Sequence, residues 1–268
     1  MRLFLAVLMA AACLWAGDLD TFKGLKGDID IAGGTAHIPV MKEAAKRIMN
    51  ANRSVRITVA GGGSGVGVQK VGEGLVQIGN TGRALKDGEI EKYALVTYPF
   101  AIDGVAAAVN PKNPVSALTK VQLAAIFKGE ITNWKTVGGK DAAITLYIRE
   151  DGSGTRETFE ERAVAKAAPS AKSNVVSSNG AMKTAISLDQ NAIGYVGIGH
   201  LDSSVKGLVL DGETPSQANA ADGSYTVTRL LYMNSKKEIS PLTKAFIDYI
   251  YSDEGKAIVS DSGYIPTR

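Results

Sequence analysis

The sequence predicts an α/β protein built on mainly parallel sheets and divided into two lobes. Three observations carry this. β-Branched apolar runs repeatedly end in small residues and lead into amphipathic helical stretches, the alternation that parallel βα units require. Many of the 30 glycines sit in clusters directly after those runs, where turns bring backbone close to whatever lies beyond the strand ends. Two long extended stretches, Val96 to Val109 and Tyr225 to Met233, interrupt the alternation, and each is suited to carry the chain between lobes.

The elements follow in order. Arg2 is a positive start, Leu3 to Trp15 is almost wholly apolar, and Ala16 precedes polar Gly17-Asp18. That apolar run is too short for a permanent membrane span and reads as an export signal. Cleavage is expected after Ala16, which makes residues 1–16 a signal peptide and the mature protein periplasmic. A second reading takes Ala10-Ala11-Ala12-Cys13 as a lipidation site, with Cys13 anchoring the chain. It lacks the usual leucine three residues earlier and leaves apolar Leu14-Trp15 behind.

Next, Ile29-Asp30-Ile31 leads into Gly33-Gly34-Thr35-Ala36 and a helix from about Ile38 to Asn50, with Ile38, Met41, Ala45 and Ile48 on one face. Val55 to Val59 leads into Gly61-Gly62-Gly63-Ser64-Gly65 and a helix to about Gly74. Val76-Gln77-Ile78 leads into Asn80-Thr81-Gly82-Arg83. Ile144 to Ile148 leads into Arg149-Glu150-Asp151-Gly152-Ser153-Gly154-Thr155 and a charged helix from Arg156 to about Lys166. Ligands of such folds sit beyond the carboxyl ends of the strands, where these four turns lie. The first lobe is expected to span 27–102 plus 229–268 and the second 103–228, with hinges near Ile102-Asp103-Gly104 and Tyr225 to Arg229.

Composition narrows the function. Of 268 residues, 45% are hydrophobic and 21% charged, and the net charge is only +3. Such a balance creates no general field for nucleic acid or an anionic membrane, so an anion must be bound by a local site. Cys13 is the only cysteine, and His37 and His200 are the only histidines. A thiol nucleophile, a histidine metal cluster or a Ser-His-Asp triad is therefore poorly supplied. We expect a monomer with no catalytic residue, no metal and no cofactor. Both histidines read as surface or capping residues, and Trp134 and Tyr195 as packing residues.

The sharpest motif is Arg149 to Thr155. N–H groups at a helix start lack intrahelical partners, and the helix dipole favours negative charge there. Gly152 and Gly154 admit close approach, Ser153 and Thr155 add hydroxyl donors, and Arg149 offers a planar fork suited to tetrahedral oxygens. Asp151, two residues on, is placed to hold the guanidinium. The same serine and threonine also serve an ordinary capped helix start. The run Gly61 to Gly67 has a Gly-x-Gly-x-x-Gly-like spacing but no following Gly-Lys-Ser/Thr, so Ser64 and adjacent N–H groups read as anion donors rather than a nucleotide loop. Thr35 and Ala36 form a weaker third case. Thr81, Gly82 and Arg83 form a fourth, with Arg83 either a second cationic ligand or an exposed charge.

Arg149 to Thr155 resembles the signature of the periplasmic phosphate-binding proteins of bacterial phosphate ABC transporters. Thr35-Ala36 with Pro39 is similar to that family's first turn, and Ser64 to its glycine-flanked serine. Ile126 to Trp134, Asn191 to Val196 and Gly263 to Pro266 resemble further family segments in the same order. The resemblance implies a two-lobed type 2 periplasmic-binding fold that encloses phosphate in its cleft and delivers it to a membrane permease. It implies ligand roles for Thr35, Ala36, Ser64, Arg149, Ser153, Gly154 and Thr155. Where many members carry an aspartate that accepts a proton from phosphate, this chain has Gly82. Selectivity over sulfate is then expected from a compensating carboxylate, Asp151 or another. The alternatives are a binder of another oxyanion, an extracytoplasmic phosphate sensor and, less well supplied, a phosphatase.

Overall fold

The structure, a computed structural model, describes residues 18–267. The expected signal peptide and Cys13 lie outside the described residues.

The chain opens with β1 (Gly27–Gly33), α1 (Ile38–Ala51), β2 (Val55–Gly62), α2 (Gly63–Gly72), β3 (Ile78–Thr81) and α3 (Asp87–Tyr93). The long strand β4 (Val96–Val109) follows, then β5 (Ala117–Leu118), α4 (Lys120–Lys128), β6 (Thr145–Arg149), α5 (Gly154–Arg162), β7 (Asn174–Val176), α6 (Asn179–Leu188) and β8 (Ala192–Gly197). The last elements are β9 (Lys206–Gly207), β10 (Val209–Leu210), α7 (Gln217–Asp222), β11 (Thr228–Ser235), α8 (Pro241–Tyr251), α9 (Asp253–Asp261) and β12 (Ile265–Pro266). The charged helix expected to reach Lys166 stops at Arg162, and Ala165 and Lys166 both take positive φ.

One continuous sheet orders its main strands β2-β1-β3-β11-β4-β8-β6-β7. β1 is parallel to β2 and β3, and β6 is parallel to β7 and β8. The antiparallel pairs involve the crossing strands: β11 runs against β3 and β4, and β4 against β8. β4 therefore serves both ends of the sheet. Its first residues pair with β11 from Val96 to Gly104, and its last with β8 from Val105 to Val109.

The apolar core has two main clusters. One draws on residues 22–101 and 231–264, with Ile29, Ile31, Met41, Ile48, Phe100, Leu231 and Phe246 at its centre. The other draws on residues 105–227, around Leu123, Phe127, Phe159, Ile193 and Tyr195. A smaller cluster of Ala108, Met182, Ile186, Ala192, Val196 and Val205 covers the opposite face of β8. β3 and β8 are buried along their whole lengths; β8 is apolar throughout apart from Tyr195, as a strand covered on both faces tends to be, whereas β3 ends in buried Asn80 and Thr81. The chain around the first cluster forms a first half and the chain around the second cluster a second half. The turns after β1, β2 and β3 in one half face the turn after β6 in the other.

Candidate ligand-binding site

A small cavity lies where those turns meet. Its first-half wall is Gly34, Thr35, Ala36, His37, Gly63, Ser64, Gly82 and Arg229, and its second-half wall is Arg149, Ser153, Gly154 and Thr155. Thr35, Ala36, Ser64, Gly82, Arg149, Ser153, Gly154 and Thr155 are thus brought together as the sequence led us to expect. Among the described residues no carboxylate lines the cavity.

Arg149 ends β6 and is 1% exposed. Its Nε donates to Glu150 Oε2 at 2.7 Å and its Nη2 to Glu150 Oε1 at 2.6 Å. Its Nη1 is buried with no hydrogen-bond partner in the protein. Burying a cationic donor unsatisfied is costly, so this nitrogen marks the place for an acceptor. The backbone is pinned independently: Arg149 N donates to the Tyr195 hydroxyl at 2.9 Å, and Arg156 Nη1 donates to Arg149 O at 3.0 Å. Tyr195 therefore packs and supports the site at once.

Three of the four hydroxyls lining the cavity already accept a hydrogen bond. Ser64 Oγ accepts from Gly82 N at 3.0 Å. Ser153 is the N-cap of α5, and its Oγ accepts from Arg156 N at 3.3 Å. Thr35 Oγ1 accepts from Asn179. A hydroxyl has one proton to give and two lone pairs, so each of these three can still donate, and Thr35, with both lone pairs taken, can only donate. Gly154 has no room for more: a Cβ there would lie 2.5 Å from Ser64 Oγ and 3.0 Å from the Gly82 carbonyl carbon. Two halves close this tightly only because that residue is glycine.

Three expectations are corrected. Asp151 does not hold Arg149. Its side chain is 97% exposed and pairs with Arg156 at 2.7 Å, because Gly152 at φ +77° turns the loop outward after the strand ends. Glu150 holds the guanidinium instead. Arg83 is neither a cavity residue nor an exposed charge: Nη1 and Nη2 donate to Glu89 at 2.7 and 2.8 Å, and Nε lies 3.0 Å from Glu157 Oε2 in the second half. Thr81 is buried outside the cavity, donating to Arg83 O at 2.8 Å and accepting from Asn234 Nδ2 at 3.1 Å.

The sequence reading missed Arg229 and His37. Arg229 sits on β11 directly opposite Asp103 on β4, and its Nε and Nη2 donate to Asp103 Oδ2 at 2.9 and 2.7 Å. Burial pushes the Asp103 carboxyl up, and Arg229 pulls against that shift. A signal existed: one arginine and one aspartate in two otherwise apolar crossing stretches have to find each other. His37 is fully buried, not at the surface. Burial first, and the nearby Arg229 second, push its pKa down to about 3, so it stands neutral in the wall. His200, mostly buried, is lowered to about 4, chiefly by burial and then by Lys183.

A PBP superfamily domain matches residues 22–254. Among curated proteins, the phosphate-binding protein PstS of Bacillus subtilis is 41% identical over 271 residues, covering 97% of this chain and 90% of its own length. That of Borreliella burgdorferi is 30% identical over 250 residues, covering 88% and 89%. Among solved structures, a phosphate ABC transporter substrate-binding protein with bound phosphate from Clostridium perfringens superposes with a TM-score of 0.85 at 35% identity, covering 90% of this chain and 100% of that one. An ABC-type phosphate transport receptor from Vibrio cholerae gives 0.71 at 34% identity, covering 88% and 99%.

Proposed function

Because this chain belongs to the PBP superfamily and is similar over nearly its whole length to phosphate-binding proteins, we propose that it is the substrate-binding component of a phosphate ABC transporter. It captures inorganic phosphate between its two halves and hands it to a membrane permease. The observation that carries this reading is the buried Arg149, fixed by Glu150 on two nitrogens and left with Nη1 unsatisfied beside a cavity lined by donors. The proposed ligand set is Thr35, Ala36, Ser64, Arg149, Arg229, Ser153, Gly154 and Thr155, with Gly82 in the wall.

The two halves act as lobes, 27–102 plus 229–268 and 103–228, that close by rotation about the crossing strands. Residues 1–16 serve as the export leader. On this reading the protein performs no chemistry on its ligand, because its relatives are substrate-binding components of transporters. Calorimetry on protein stripped of ligand tests the reading, with phosphate, arsenate, sulfate, molybdate and tungstate titrated in turn. Absence of phosphate binding refutes it. Steady phosphate release from a generic phosphoester, lost in an Arg149 variant, refutes the purely transporting role.

A further inference from the structure

Thr35 is held across the cleft by Asn179. Asn179 opens α6 in the second half and is fully buried. Its backbone N donates to Thr35 Oγ1 at 3.2 Å, and its side-chain Nδ2 donates to the same oxygen at 3.1 Å. The amide orientation is fixed from the other side, because Asn179 Oδ1 accepts from Gly197 N at 3.2 Å. The NH₂ group therefore faces Thr35. Both lone pairs of the threonine hydroxyl are then occupied, and the hydroxyl lines the cavity with only its proton to offer. The donating N–H also lies at the positive end of a ten-residue helix, which polarises the hydroxyl further.

We propose that Asn179, which lines no part of the cavity, is a positioning residue for ligand capture: its two donations from the opposite half commit the Thr35 proton to the ligand, and do so only when the halves are closed. A threonine in an open cleft is free to accept from water or donate to it. Closure removes that freedom, so the step that encloses the anion also sets the direction of one of its hydrogen bonds. This inference rests on the reading of the cavity as the phosphate site.

The test is a double-mutant cycle on ligand-stripped protein, with inorganic phosphate titrated by calorimetry. Asn179→Ala is expected to weaken phosphate about ten-fold, the size of one lost charge-assisted hydrogen bond. Thr35→Val should weaken it at least as much. In the double variant, Asn179→Ala should cost nothing beyond Thr35→Val alone, whereas in a Thr35→Ser background it should still cost its full factor. Asn179→Asp keeps the size and the acceptor for Gly197 N, stands in if the alanine variant does not fold, and should weaken binding by more than ten-fold. Wild-type affinity in either Asn179 variant, or full additivity with Thr35→Val, overturns the proposal. A wild-type protein that binds no phosphate at all refutes the functional reading instead.

Discussion

Arg149→Ala should separate binding from stability. In the wild type the guanidinium is 1% exposed and has one unsatisfied nitrogen, so the unliganded fold bears the cost of an incompletely paired buried cation. Truncation removes that cost. It leaves Glu150 without a partner, but that carboxylate side chain is 23% exposed and remains accessible to water. The backbone stays anchored by Tyr195 and Arg156. Unliganded stability should therefore be unchanged or slightly raised. Binding should collapse: losing a charge-assisted contact to a buried anion costs about 2–5 kcal/mol, which is about 30-fold to a few thousand-fold in affinity. Calorimetry reads the affinity, and thermal unfolding with and without saturating phosphate reads the stability. The expected signature is a retained unliganded melting temperature with no ligand-induced rise. Unchanged affinity removes Arg149 from the site, and an unfolded variant refutes the claim that its backbone is independently held.

Three further outcomes are expected. His37 and His200 are held near 3 and 4 against an ordinary 6.5; below 6.5 the unfolded chain binds the extra protons, so stability should fall with falling pH by about 1.4 kcal/mol per unit for each. Urea midpoints between pH 7.5 and 5 measure this, and a flat profile contradicts the burial argument. Glu157 lies 3.0 Å from both Arg83 Nε and Lys86 Nζ across the cleft, so Glu157→Gln should raise the phosphate off-rate about two- to five-fold, less in high salt. An unaltered stopped-flow rate removes that pair as a latch. Because donors and cations line the cavity, phosphate affinity should rise with pH through its second ionisation, and sulfate should compete measurably. Sulfate weaker than phosphate by more than about 1,000-fold means that an acceptor is present, and neutral His37 is then the wall residue to replace.

Much of this architecture is legible because its signals are local. A strand that ends in glycines before an amphipathic helix writes its turn into consecutive residues, so the turns at Thr35, Ser64 and Ser153 were visible without the fold. The long strand β4 was visible for the same reason, with 14 residues free of helix periodicity. What escaped depends on geometry between distant segments. Asp151 lies only two residues after Arg149 in sequence, but β6 ends at Arg149 and the loop through Gly152 carries the Asp151 side chain out to solvent. Arg229 comes from a strand that returns after the whole second half, and no turn motif announces it. His37 lies one residue past Ala36, yet nothing in its neighbours says that Phe100 packs against its ring at 5.5 Å. Asn179 was invisible because its role is a hydrogen bond across 144 positions.

The passage of β4 and β11 side by side between the halves has a mechanical consequence. At the crossing the two strands are joined as a ribbon, Thr228 opposite Gly104 and Val105 N donating to Val227 O at 2.8 Å, and such a ribbon bends and twists more readily than it slides. The proposed closure of the halves would thereby be guided along essentially one angular coordinate. Arg229 and Asp103 sit face to face on that ribbon, and Arg229 also lines the cavity. In the proposed closure the anion's charge would therefore bear directly on the joint, and a substitution at Arg229 would be expected to change both the pocket and the stiffness of closing.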